Sequence, residues 1–204
     1  MQSWNWAGVK LGAWLLVGGR VRREALLVPR LAVATLDACD WAQLRDRHGI
    51  RAVCFDKDNT LTAPYAAHVD ARCEEAVRTC VAVFGRGAVC VVSNSIGYDG
   101  HDAGHPGARA FEAATGLHVV RHRRPKPNAA REVLGHLAPL RPGQIALVGD
   151  RLLTDTAMAN GAGMFSVHVR TPLTVVGDNW LARVLRAWEN RWLAGQGAAL
   201  FPGK

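Results

Sequence analysis

Apolar positions along this chain change character near residue 50. From there on, short runs of apolar and β-branched residues alternate with stretches whose apolar positions recur at helical spacing. The runs are Arg51–Phe55, Ala88–Ser93, Leu117–Val120, Gln144–Val148 and Met164–Val169. Between them Asp70–Phe84, Ala108–Thr115, Asn128–Leu137 and Thr154–Asn160 read as helices. Continuously apolar strands alternating with helices predict a three-layer α/β fold. Its centre is a doubly wound parallel sheet covered by helices on both faces. Ligands of such sheets bind at the carboxyl ends of the strands.

The two ends read differently. Residues 1–23 hold Lys10, Arg20, Arg22 and Arg23, with no acidic residue before Glu24. They also carry Trp4, Trp6 and Trp14 and a short apolar run from Ala13 to Val17. Tryptophan at headgroup depth and Lys/Arg against lipid phosphate would make this an interfacial anchor. An arginine-bearing, acid-poor mitochondrial presequence is a second reading, although such segments are usually richer in serine. A helix packed on the body of the domain is a third. At the other end, Asn179–Leu193 places Trp180, Leu181, Val184, Leu185, Trp188 and Trp192 on one helical face, with Arg183, Arg186 and Arg191 beside or opposite it. That helix either docks on the sheet or meets a membrane. The division implied is a basic N-terminal segment, 1–49, a catalytic core, 50–177, and a C-terminal amphipathic tail, 178–204.

Length and composition narrow the picture. With 204 residues and 49% hydrophobic content the chain can bury one sizeable core, which excludes global disorder. No run of about 18 apolar residues is available for a spanning helix. The formal charge is +8, which suits a polyanion: nucleic acid, an anionic membrane or a phosphorylated substrate. The five cysteines are odd in number and form no CxxC pair, so free thiols are expected.

Chemistry gathers where strands end. The first run leads directly into Asp56-Lys57-Asp58-Asn59-Thr60. Carboxylates at the end of an apolar strand are costly unless bound, and a hard cation such as Mg²⁺ is a natural partner. The second run ends in Ser93-Asn94-Ser95, a hydroxyl and fresh backbone N–H groups able to hold phosphate oxygens. After the third comes Arg121-His122-Arg123-Arg124-Pro125-Lys126-Pro127, an anion site that delivers Lys126 near a helix start. The fourth ends in Gly149-Asp150-Arg151-Leu152-Leu153-Thr154-Asp155, a second acidic pair. Acids for a metal, a hydroxyl and a lysine at one sheet edge describe Mg²⁺-dependent phosphoryl transfer.

Asp56-x-Asp58-x-Thr60, Ser93, Lys126 and Gly149-Asp150 followed by Asp155 resemble the motif set of the haloacid dehalogenase superfamily of phosphatases, over about residues 50–170. Phe55–Thr62, Val92–Ser95, Val120–Arg123, and Val148–Arg151 followed by Thr154-Asp155 are most similar to the phosphatidylglycerophosphate phosphatases of mitochondria and plastids. Pro125 stands where that family would have a further lysine.

The resemblance implies Asp56 as nucleophile and Asp58 as general acid and then base. It implies Mg²⁺ at the Asp56 carboxylate, the Asp58 backbone carbonyl and Asp150, with Asp155 supporting the metal or orienting Lys126. Ser93 and the Asn94 N–H would bind phosphate oxygens, and Lys126 would offset charge on phosphate and Asp56. The intervals from Asp56 to Ser93 and from Ser93 to Lys126 leave little room for an inserted cap. The site is therefore expected to be open to a lipid headgroup on an anionic membrane, with Arg121, His122, Arg123 and Arg151 as headgroup candidates. In the loop from Ile96 to Pro106, Asp99, His101, Asp102 and His105 could imitate a metal cluster, but a solvated glycine-rich loop is the simpler expectation.

The expected function is hydrolysis of phosphatidylglycerophosphate to phosphatidylglycerol, on the route to cardiolipin, at the matrix face of the mitochondrial inner membrane or in plastids. Two alternatives remain. One is a phosphatase of nucleotides or nucleic-acid ends, disfavoured because no stacking aromatics interleave with the basic residues near the site. The other is a non-catalytic membrane adaptor.

Overall fold

The computed structural model describes residues 25–174 and 180–195. The tryptophan-bearing N-terminal stretch expected to be an anchor lies outside the described residues. Six strands form one all-parallel sheet. They are β1 (Leu31–Val33), β2 (Ala52–Phe55), β3 (Val89–Val91), β4 (His118–Val119), β5 (Ile145–Gly149) and β6 (Phe165–Val169), in the order β1-β6-β5-β2-β3-β4. The connecting helices are α1 (Trp41–His48), α2 (Ala71–Phe84), α3 (Pro106–Thr115), α4 (Ala130–His136) and α5 (Ala157–Gly161), and α6 (Trp180–Ala194) follows the sheet. Strand order reverses between β2 and β5, where the chain winds away in both directions.

Alternation along each strand feeds the two helical layers. Val53 and Phe55 of β2, Val89 and Val91 of β3 and Val148 of β5 face one core, where they meet Trp41 and Leu44 of α1, Cys73, Ala76 and Cys80 of α2, and Phe111 of α3. Ala52, Cys54, Cys90, Ile145 and Leu147 face the other, against Val133 of α4 and Met158 and Ala159 of α5. Burial on both faces is why these strands read as unbroken apolar runs. All five cysteines are free and buried, as expected, and Cys54 and Cys90 are register partners on β2 and β3.

The sheet reaches further upstream than the alternation after residue 50 suggests. Leu31–Val33 pairs in parallel with Val167–Val169, and Trp41 of α1 lies edge-on to Phe55 at 5.7 Å between ring centroids. β1 spans only three residues, too short to show a period. α1 is mostly polar and turns only Trp41 and Leu44 inward. The helix read from Thr154 to Asn160 also differs. It opens as a π-helical turn, Leu152–Thr156, and becomes α-helical only over Ala157–Gly161. Helix ends follow local chemistry: Asp70 caps α2 by accepting from the Arg72 N–H, and Pro106 sits in the first turn of α3.

α6 docks at the β5 end of the molecule. Leu193 is buried with Leu27, Leu152, Leu153 and Ala157, while Leu185 and Trp192 pack partly buried against them. Val184 and Trp188 on the other side of the helix are exposed. Glu189 is fully buried, and its carboxylate accepts from the Leu152 and Leu153 N–H groups at 3.2 and 3.0 Å. These are first-turn donors that the π-helical turn leaves without an internal partner.

Burial pushes the Glu189 carboxyl up to about 7, against the pull of Arg151 and the two amides. A carboxyl with a raised native pKa favours folding at low pH, and that contribution is lost as pH rises through the native value. Wild type should therefore lose stability relative to Glu189→Gln between about pH 4.5 and about pH 7, by on the order of 3 kcal/mol across the window. Chemical denaturation of both proteins at several pH values checks this. Parallel curves would mean that Glu189 is ionised throughout.

Candidate active site

The chain after β2 is tied to β5 and β3 by the backbone. The Asp56 N–H donates to the Val148 carbonyl at 2.8 Å, and the Val92 N–H donates to the Phe55 carbonyl at 2.8 Å. The carboxyl ends of three adjacent strands are thereby level, and each strand releases a polar segment at the same height. Asp56, Asp150 and Asp155 meet there, each bringing a carboxylate oxygen within 4.8 Å of the others, and all three are buried. Lys126 enters from the loop after β4. Its ammonium donates to Asp56 Oδ1 at 2.5 Å and to Asp155 Oδ1 at 2.7 Å while only 2% exposed.

Charge sets the character of this cluster. Burial pushes the Asp56 carboxyl above its ordinary range, Lys126 pulls it down, and Asp155 and Asp150 push it up again. Burial works to lower the Lys126 pKa, but Asp155 and Asp56 outweigh it and hold the ammonium charged. One lysine against three carboxylates leaves an excess of negative charge in a buried place, and an all-oxygen donor set suits a hard divalent cation. The residues present therefore fit such an ion. Asp58 is outside the carboxylate cluster, so any metal contact it makes would come through its backbone, as the resemblance implies.

The loops explain how the lysine arrives. The Asn94 side-chain oxygen accepts from the Lys126 backbone N–H at 2.7 Å, so the β3 loop holds the lysine loop directly. His122 is buried. Its ring lies between the Ser93 carbonyl at 2.9 Å and the Arg124 carbonyl at 2.7 Å, and Tyr98 stacks on it at 5.5 Å. The Gly97 carbonyl accepts from the His122 N–H at 2.9 Å. Asp155 is set from below. Its Oδ2 accepts from the Arg151 N–H and from the Thr154 hydroxyl, each at 3.2 Å.

Not every residue singled out by the motifs has its side chain in the cluster. Ser93 is fully buried, and its hydroxyl lies 2.9 Å from that of Ser95 and accepts from the Ser95 N–H. Arg121 forms a two-pronged ion pair with Glu112 of α3, at 2.7 Å for both nitrogens. His122 is a structural ring between two loops. Of the headgroup candidates, Arg123 is exposed and Arg151 half-buried. His105 Nε2 lies 3.2 Å from Asp99 Oδ1, while Asp102 is a buried staple accepting from the N–H groups of Gly97, Gly107 and Ala108, each at 2.9 Å. Among the described residues, then, that loop holds no metal cluster. Most of its residues are exposed, as the simpler expectation has it, while the buried Asp102 ties it to the start of α3.

Lys57, Ser95 and the Asn94 side chain are participants that motif spacing does not single out. Lys57, part of the Phe55–Thr62 resemblance but given no role by it, has a side chain 2% exposed that donates to Asp58 Oδ1 at 2.8 Å. Ser95 donates to Asp58 Oδ2 at 2.5 Å.

A buried, lysine-crossed carboxylate cluster at the switch point of a parallel α/β sheet suits cation-dependent phosphoryl transfer, and comparison with known proteins gives the class: a phosphatase that works on phosphoric monoesters. The family model described as mitochondrial PGP phosphatase matches residues 13–174. The chain belongs to that family. It is 39% identical to phosphatidylglycerophosphate phosphatase 1, chloroplastic, of Chlamydomonas reinhardtii, covering 95% of this chain and 69% of that protein. It is 36% identical to phosphatidylglycerophosphate phosphatase 1, chloroplastic/mitochondrial, of Arabidopsis thaliana, over 85% of this chain and half of that one. The mitochondrial phosphatidylglycerophosphatase GEP4 of Saccharomyces cerevisiae is 32% identical over 62% of this chain and 70% of its own. No solved structure gives a significant match.

Gly149 bears directly on the cluster. A Cβ there would stand 2.4 Å from the Asp155 carboxyl carbon. Gly149→Ala should push Asp155 aside, loosen Lys126, lower stability by about 1–3 kcal/mol and weaken divalent-cation binding. Thermal unfolding and calorimetric Mg²⁺ titration read the two effects, and unchanged values for both would show that the loop yields without cost.

Proposed function

We propose that the protein hydrolyses phosphatidylglycerophosphate to phosphatidylglycerol and inorganic phosphate, using the cluster of Asp56, Lys126, Asp150 and Asp155 with Asp58 beside it. The observation that carries this reading is Lys126 bridging Asp56 and Asp155 at the open edge of the sheet, in a chain of this family. Asp56 Oδ attacks phosphorus and the bond from phosphorus to the glycerol oxygen breaks. Asp58 gives its proton to the departing oxygen. Water then attacks the aspartyl-phosphate, Asp58 takes a proton from it, and phosphate leaves with Asp56 restored. Lys126 offsets charge on Asp56 and on the transferring group. Ser93 and the Asn94 N–H hold phosphate oxygens. Asp56, Asp150 and the Asp58 carbonyl would hold Mg²⁺, with Asp155 supporting it and orienting Lys126. Bound there, the ion supplies positive charge against the phosphoryl oxygens.

Access favours a large substrate. The segments from Asp56 to Asp70 and from Val92 to His105 are loops with no inserted domain, so among the described residues no cap-sized insertion follows either strand. A lipid headgroup can reach such a site from a surface. The net charge of +8 and the basic residues Arg123, Arg124 and Arg151 suit an anionic one. No described helix is long and apolar enough to cross a membrane. Peripheral attachment at the matrix face of the mitochondrial inner membrane, or at a plastid membrane, fits these features, with residues 1–23 as the anchoring segment.

Phosphate release from phosphatidylglycerophosphate in mixed micelles should require Mg²⁺, stop with EDTA, and be abolished in Asp56→Asn. Turnover of soluble phosphate esters or oligonucleotide phosphates, with none of the lipid, would overturn the lipid assignment while leaving the chemistry. Removing residues 1–23 should weaken binding to phosphatidylglycerol-containing vesicles, most visibly at low salt. Equal sedimentation of both forms with such vesicles would discard the anchor.

A further inference from the structure

The mechanism leaves one buried cation unused. Lys57 lies between two site acids, and its side chain is as buried as that of Lys126. A buried ammonium is costly without a carboxylate and good packing around it. Lys57 has both: Asp58 Oδ1 at 2.8 Å and the face of Phe111, whose ring centroid is 6.0 Å away on α3.

The Asp58 carboxylate is the meeting point of three chain segments. Lys57 Nζ and the Tyr65 N–H both donate to Oδ1, at 2.8 and 2.9 Å. Ser95 donates to Oδ2 at 2.5 Å, and its own position is fixed by the Ser93 hydroxyl. Tyr65 adopts φ 63°, a left-handed backbone that a residue with a side chain enters at a cost. Donors at both oxygens, from different directions, leave the carboxylate little freedom to turn. When Asp58 carries the proton it donates, Lys57 and the Tyr65 N–H still hold Oδ1, and the Ser95 hydroxyl, a donor or an acceptor, no longer donates to the protonated Oδ2. A group that must meet a departing oxygen with a proton needs such restraint, because a misplacement of about 1 Å can cost on the order of a hundredfold in rate.

We infer that Lys57 and Ser95 are positioning residues for Asp58, a clamp that aims the proton-donating carboxyl at the leaving oxygen of an alkyl phosphate. The inference rests on Asp58 acting as proton donor. Leaving-group dependence separates a clamp from a merely structural role. The alkoxide of a lipid ester needs a proton as it departs, and the phenolate of p-nitrophenyl phosphate does not. General-acid help is worth about 10²–10⁴ in rate.

The experiment measures kcat/KM, which stops at the first irreversible step, for short-chain phosphatidylglycerophosphate and for p-nitrophenyl phosphate. The proteins are wild type, Asp58→Asn, Lys57→Met and Ser95→Ala, each checked for folding by circular dichroism. Methionine keeps the length of the buried stem, and Ser95→Ala serves if Lys57→Met does not fold. We expect Asp58→Asn to lose far more activity on the lipid than on the aryl ester. The clamp variants should show the same skew, about tenfold or more. If Asp58→Asn is skewed and the clamp variants lose both activities equally, or neither, the clamp is overturned and the proton donor stands. If Asp58→Asn itself shows no skew, the donor role falls, and the clamp with it.

Discussion

Three buried carboxylates lie against one lysine at the carboxyl edge of the sheet, and most of the surrounding structure serves to keep them there. Like charges at this separation in a weakly polar interior repel strongly. Lys126 meets the demand only in part, and its two contacts, to Asp56 and Asp155, join the ends of β2 and β5 to the loop after β4. The lysine is a structural tie between three segments. Removing it would leave an uncompensated buried cluster.

Holding a lysine at that point takes a chain of less conspicuous interactions. Asn94 catches its backbone, His122 braces the β3 loop against the β4 loop, and Asp102 gathers the rest of the β3 loop onto α3. Glu189 of α6 satisfies the two amides that start the turn behind Asp150. The tail helix is therefore connected to the acidic loop through hydrogen bonds as well as apolar packing. Its outer side leaves Val184 and Trp188 exposed on the same element.

The two buried lysines divide the labour. Lys126 pairs with Asp56 and Lys57 with Asp58, at either end of the Asp56–Asp58 turn. Four carboxylates and two ammonium groups thus occupy a small volume without an inserted cap to shield them. The burial of these charges comes from the loops and strand ends themselves.

The sequence by itself determined the strand–helix alternation after residue 50, the sheet edge that carries the chemistry, and the identities of Asp56, Asp150, Asp155 and Lys126. Strands buried on both faces are unbroken apolar runs, and a carboxylate directly after such a run is conspicuous against them. β1 and α1 were not legible. One is three residues long and the other shows only two apolar positions, so their place is fixed by β6 and by Phe55 rather than by a local pattern. Partner choice was equally hidden. Arg121 was eligible for a headgroup and pairs with Glu112. His122 was eligible for the same role and became a brace, while Lys57, to which the motif assigned no role, is buried against Asp58. A motif fixes which chemical groups reach the strand ends. Their partners come from loops far away in sequence, and only the packed sheet brings those loops to the same place.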